Sequence, residues 1–183
     1  MLNLDSTQEL TYEQQHELYN QQIADNKQMS SALAYLLMDL CEEGDNDANN
    51  IQELESFNSP KVPSISIYDY ICRILKQAQC SQECLIMGLI FMDKLSKKWG
   101  RIIVKSINVH RLYVVAVMLS AKFYDDRFFQ NSYYAKVAGI THEEFNHLER
   151  VLVFLLDFKL IIDPLLFFTY RQRIMTNYFD NQE

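Results

Sequence analysis

The stretch LYVVAVMLSA, Leu112 to Ala121, carries no charge and is apolar at almost every position. It lies within a run from Asn108 to about Tyr124 that holds no Gly or Pro and begins with a residue suited to a helix cap. A helix with one apolar stripe lies on a surface, whereas a helix apolar all round has to be wrapped by other elements. The chain must therefore surround this segment. It has only 4 Gly and 3 Pro among 183 residues, too few turn formers for a sandwich or barrel, so the wrapping is expected to be helical. The expected fold class is all-α, a compact bundle of about five helices around a buried central one.

Start and stop signals place the other helices. Ser64 or Ser66 can cap a helix reaching about Gln79, and Ser81 opens a second that Gly100 stops. Asn108 caps the central helix, and Ser132 opens a short fourth ended by Gly139. Thr141 with Glu144 three residues later forms a capping box for a fifth, reaching about Leu156. Asp163 followed by Pro164 begins one more element, PLLFFTYRQRIM. Residues 64–160 are thus read as the bundle and 161–183 as a helical extension with a tail. Residues 1–63 read as a polar N-terminal region. Its Gln-, Asn- and Glu-rich start, up to Met29, and the segment Glu42 to Pro63 are expected to be mobile, because they bury too little apolar surface to offset ordering. Between them SSALAYLLMDLC, near 30–41, has helical Leu spacing and predicts a short amphipathic helix, docked either on the bundle or partly on a partner.

Four charges fall on apolar faces. At about 100° per residue, Lys122 points within the arc of Val115, Met118 and Leu119. Glu149 lands on the face formed by Phe145, Leu148, Leu152, Val153 and Leu156. Asp93 sits between the directions of Ile86 and Leu89, and Arg73 lies beside the stripe of Ile67, Tyr70, Ile71 and Ile74. A buried unpaired charge costs several kcal/mol, so each needs an opposite partner, an exit to water at a helix end, or a covering molecule. Two intramolecular salt bridges satisfy this. So does one pair stapling the bundle while the other faces a docking surface.

Catalytic and metal-binding signatures are missing. HEEFNH, His142 to His147, spaces its histidines five apart, about 140° around a helix, whereas a zinc helix needs them on one face. No phosphate-cradling or nucleophile motif occurs, so the chain reads as a non-enzyme with no cofactor and no metal. A net charge of −7 disfavours nucleic acid and points to a protein partner. Cys41, Cys72, Cys80 and Cys84 form no C-x-x-C, and the last three fall in apolar helical pattern as small hydrophobes, which fits a reducing compartment. With no signal-peptide pattern at Met1 and no apolar run of about 18 residues, the expectation is an intracellular protein of cytoplasm and/or nucleus, without a membrane partner.

Taken together, YICRIL, FMDKL, SAKFYDD and HLERVLVFLLDFKL, from about Ser64 to Leu160, resemble the cyclin box, the five-helix fold of the activating subunits of cyclin-dependent kinases. The resemblance implies a non-catalytic subunit that binds such a kinase as a heterodimer, together with that kinase's protein substrates. It implies that Arg73 pairs with Asp93 as a structural salt bridge, while Lys122 and Glu149 reach the kinase's regulatory helix. Leu119, Phe123, Val153 and Phe158 would form the apolar surface around them. DDRFFQNSYYAKVAGI, Asp125 to Ile140, with a single box, looks most like the P/U-type, phosphate-response cyclins. Asp126 and Arg127 would then either steady the kinase and its substrate or lie in solvent. Mitotic cyclins dock substrates with an apolar patch on the first box helix, and Lys76 here stands where a leucine is expected. The alternative is a cyclin-like adaptor or transcription-factor-type module that activates no kinase.

Overall fold

A computed structural model describes residues 11–47 and 51–180. Seven α-helices and one 3-10 turn make up the described chain: α1 Tyr12–Asn46, the 3-10 turn Gln52–Phe57, α2 Ile67–Ala78, α3 Gln82–Trp99, α4 Val109–Tyr124, α5 Asn131–Ala138, α6 His142–Leu155 and α7 Pro164–Asp180. No strand occurs among the described residues.

The wrapped helix is α4. Every residue from Leu112 to Ala121 is buried, and α3, α6, α2 and α5 all pack against it. The approach of α3 is tight at Gly88, where an added Cβ would lie 2.7 Å from Val117 Cγ2 and 3.1 Å from the Val117 nitrogen. Local signals set the boundaries. The Ser66 hydroxyl accepts from the Asp69 N–H at 3.0 Å to start α2. Gly100 and Gly139, at φ +62° and +77°, stop α3 and α5 in the left-handed region open to glycine. Asp163 Oδ1 accepts from the Leu165 and Leu166 N–H groups to start α7. Thr141 caps α6, but only half of the expected box forms, because the Glu144 carboxylate pairs with Arg111 at 2.7 Å. Ser81 opens α3 at the N-cap position but makes no side-chain capping bond; its N–H and hydroxyl donate to the Asp125 carboxylate just past α4.

The N-terminal region differs from expectation. The helix near 30–41 is only part of α1, which runs 35 residues from a reciprocal capping box of Thr11 and Gln14. Its C-terminal half buries Met29, Ala32, Leu33, Leu37 and Cys41 against the bundle. With that half anchored, the unfavourable first turn is already made, and the Gln- and Glu-rich half extends it at little cost because those residues are good helix formers. The rest of that first stretch, Met1 to Leu10, lies outside the described residues. The segment after α1 is also pinned where described, since Leu54 and Phe57 of the 3-10 turn are buried. The Asn58 carbonyl accepts from Arg111 Nη1 at 2.8 Å.

All four cysteines are free. Burial pushes the Cys41 and Cys80 thiols up to about 12, and Cys84 higher still. The thiolate is the reactive form, so these three are expected to react with iodoacetamide at pH 8 at least about 100-fold more slowly than a free cysteine. Cys72 should be labelled first. Mass spectrometry of the peptides checks the order, and early labelling of Cys84 would contradict the packing of α3.

Candidate functional site

Two helix ends meet at one face of the bundle. Lys122, in the last turn of α4, brings its Nζ 2.6 Å from Glu149 Oε1 on α6. The other oxygen, Glu149 Oε2, accepts from Asn131 Nδ2 at 2.8 Å, at the start of α5, and the same amide nitrogen donates to Asn146 Oδ1. The carboxylate thus ties three helices together. The two charged side chains are only 24% and 16% exposed, so the pair is half-buried yet open to one side.

Three of the four apolar residues expected around the pair reach solvent. Phe123 and Phe158 are exposed and Val153, one turn beyond Glu149, is half-buried. Leu119 is a correction: at 5% exposure it belongs to the core, because the turn of α4 that carries it is still wrapped on all sides. Phe154 was missed. It is 65% exposed and meets Phe158 edge-on, with ring centroids 5.2 Å apart. Its position about 200° around α6 from Leu152 put an aromatic ring opposite the buried stripe, which was the available signal.

The turn after α6 displays these rings under strain. Asp157 and Phe158 have φ of +51° and +59°, a region that costs non-glycine residues roughly 1 kcal/mol or more each. Several bonds hold it. Lys98 Nζ donates to the Leu155 carbonyl and the Asp157 carboxylate, at 2.9 and 3.0 Å, and Lys94 Nζ donates to the carbonyls of Lys159 and Ile161. The Lys98 hydrogen bond draws the exposed Asp157 carboxyl below its ordinary range. From the end of α4, the Tyr124 hydroxyl donates to the Leu160 carbonyl and accepts from the Ile162 N–H at 2.6 Å. Phe123 and Phe158 are thereby held at the same end of the bundle.

The staple expected between Arg73 and Asp93 is not made. Arg73 faces α5, and its Nη2 donates to the Lys136 carbonyl in the last turn of that helix, where a cation is favoured. Asp93 faces α7, pairing with Lys97 at 2.7 Å and accepting from the Tyr170 hydroxyl. The two charges thus act in separate networks on different sides of the bundle. Asp126 and Arg127 are exposed, and Asp125 is the residue of that loop that is fixed. Lys76 is exposed on α2. His142 is exposed, and His147 lies 3.3 Å from the Ser56 hydroxyl. Among the described residues no group of three or more His, Cys, Asp or Glu is placed to hold a metal ion, and no helix is long and apolar enough to cross a membrane.

A buried central helix wrapped by α2, α3, α5 and α6, with a half-buried ionic pair between α4 and α6, defines this chain as an all-helical bundle. The family model for cyclins matches residues 4–160, and the chain belongs to the cyclin family. Among curated relatives it is similar to Cyclin-U3-1 of Arabidopsis thaliana, 46% identical over 62% of this chain and 51% of the relative. It is 43% identical to Cyclin-U4-3 of the same plant, over 71% of this chain and 59% of the relative. With PHO85 cyclin-7 of Saccharomyces cerevisiae it shares 35% identity over 58% of this chain and 41% of that protein. The aligned region thus spans roughly two-fifths to three-fifths of each of these relatives. The plant relatives bear P- and U-type names.

Proposed function

We propose that this chain binds a cyclin-dependent protein kinase as a heterodimer and activates it by covering one face of the kinase's regulatory helix. The observation that carries this reading is the Lys122–Glu149 pair, half-buried, with Val153 one turn further along α6 and exposed rings at Phe123, next to Lys122, and at Phe158, just past α6. A single molecule gains little from holding solvent-facing aromatics around a charge pair. A partner that covers them gains apolar burial and desolvates a polar anchor, which is the usual composition of a binding hot spot. The name of the yeast relative couples it to PHO85, which favours a kinase of that kind.

The action is positional. The kinase helix alternates between arrangements, and a surface that binds only the active one shifts the population by its differential affinity. That arrangement brings the helix's Glu to the Lys that holds the ATP phosphates. The cyclin contributes no group to the transfer. Immobilised wild-type chain is expected to retain a protein kinase whose activity rises with added cyclin, and Glu149→Ala is expected to lose it. Retention without a rise in activity would make the chain an adaptor.

The left-handed turn separates binding from stability. Phe158→Gly relieves a backbone penalty of roughly 1 kcal/mol while removing a ring that is 64% exposed. The urea midpoint of the isolated chain is expected to stay level or rise, while kinase affinity falls about tenfold or more. A clear loss of stability would mean that the ring serves the fold instead.

A further inference from the structure

A second concavity lies between α1, α3 and α7, on the side of α3 that carries Asp93. Its volume is about 370 Å³, within the range of sites that hold small molecules. The wall is apolar: Leu36 and Leu40 come from α1, Leu89 and Met92 from α3, Ile102 from the loop after α3, and Ile174 from α7. Polar groups gather along one margin. There Asp93 is already engaged by Lys97 at 2.7 Å and by the Tyr170 hydroxyl, and Lys97 Nζ also reaches the Tyr170 oxygen at 3.2 Å.

Arg173, one turn beyond Tyr170, lines the same margin, is exposed, and has no hydrogen bond or ion pair to another described residue. One carboxylate and two cations leave this margin with a local excess of positive charge, in a chain whose net charge is −7. We propose that this cleft binds a small amphiphile, with its apolar body against the leucine-lined wall and an anionic head, carboxylate or phosphate, at Arg173 and Lys97. An uncharged apolar ligand would leave the Arg173 guanidinium unused, and a cationic head would be repelled. Its lining shares no residue with the Lys122–Glu149 pair or the apolar side chains near it, so the proposal stands or falls independently of kinase binding.

Calorimetric titration of the full chain with decanoate, and with decyltrimethylammonium as the matched cation, tests this. The wild type is expected to bind one decanoate per chain with a dissociation constant below about 1 mM, and to bind the cation at least about tenfold more weakly. Arg173→Glu changes an exposed side chain without altering the wall. It should weaken decanoate by about tenfold and narrow or reverse the preference for the anion. Ser96→Phe, which fills the cleft from α3, should abolish both. Should that variant fail to fold, Arg173→Glu alone decides. No saturable decanoate binding, equal binding of the two probes, or decanoate affinity unchanged by Arg173→Glu would each overturn the proposal.

Discussion

Lys122→Ala and Glu149→Ala are each expected to weaken kinase binding by about 2 to 4 kcal/mol, roughly 30- to 1,000-fold in dissociation constant. The magnitude follows from removing one member of a charge pair that a partner would bury completely, which leaves the other ion desolvated and unpaired. The effect on the free chain should be much smaller, about 1 kcal/mol. Both side chains still reach water there, and Glu149 keeps its hydrogen bond from Asn131 when the lysine is gone. Binding by surface plasmon resonance beside urea unfolding of the same variants gives both numbers. Equal losses in the two measurements would mean that the pair serves the bundle alone.

Gly44→Ala is expected to cost about 3 kcal/mol of stability, at or beyond the upper end for overpacking a core. A Cβ at Gly44 would fall 1.9 Å from the Val104 carbonyl oxygen and 3.0 Å from its carbon, a backbone group that cannot rotate away. Either the end of α1 lifts off or the loop after α3 moves. Gly88→Ala should cost less, about 1 to 2 kcal/mol, because the nearest atom there is a side-chain methyl of Val117. Urea midpoints with unchanged slope would establish both as stability effects. Should Gly44→Ala prove neutral, α1 does not dock on the Val104 loop by backbone approach.

The parts of the fold that were readable before the structure are those governed by local chemistry. A helix whose middle ten residues carry no charge has to be wrapped, and α4 is. Ser66, Thr141, Asp163 and the two stopping glycines act within a few residues of themselves, so their roles follow from sequence. Periodicity also identified Lys122 and Glu149 as charges on apolar faces, and the structure brings them together.

What periodicity does not encode is which helix stands opposite a given face. Arg73 and Asp93 each needed a partner and each has one, but the partners are the end of α5 and the Lys97–Tyr170 pair. Leu119 was put at the surface by the family resemblance, and a positional match does not carry the depth at which this turn of α4 is wrapped. The length of α1 was hidden because low apolar content says nothing of a helix already nucleated by its buried end. The left-handed turn at Asp157 and Phe158 carries no glycine to announce it.

The most direct test of the account exchanges the two charges. In the double variant Lys122→Glu with Glu149→Lys, the bridge between α4 and α6 can re-form with reversed polarity, and turning the Asn131 amide would bring its otherwise unpartnered Oδ1 toward the new lysine. Stability of the free chain should therefore recover to within about 1 kcal/mol of wild type. If the pair is a polarised anchor for a kinase helix, affinity measured by surface plasmon resonance stays at the level of the single variants despite the restored fold. Recovery of wild-type affinity in the exchanged protein would contradict it, and would reduce the pair to a tie between two helices.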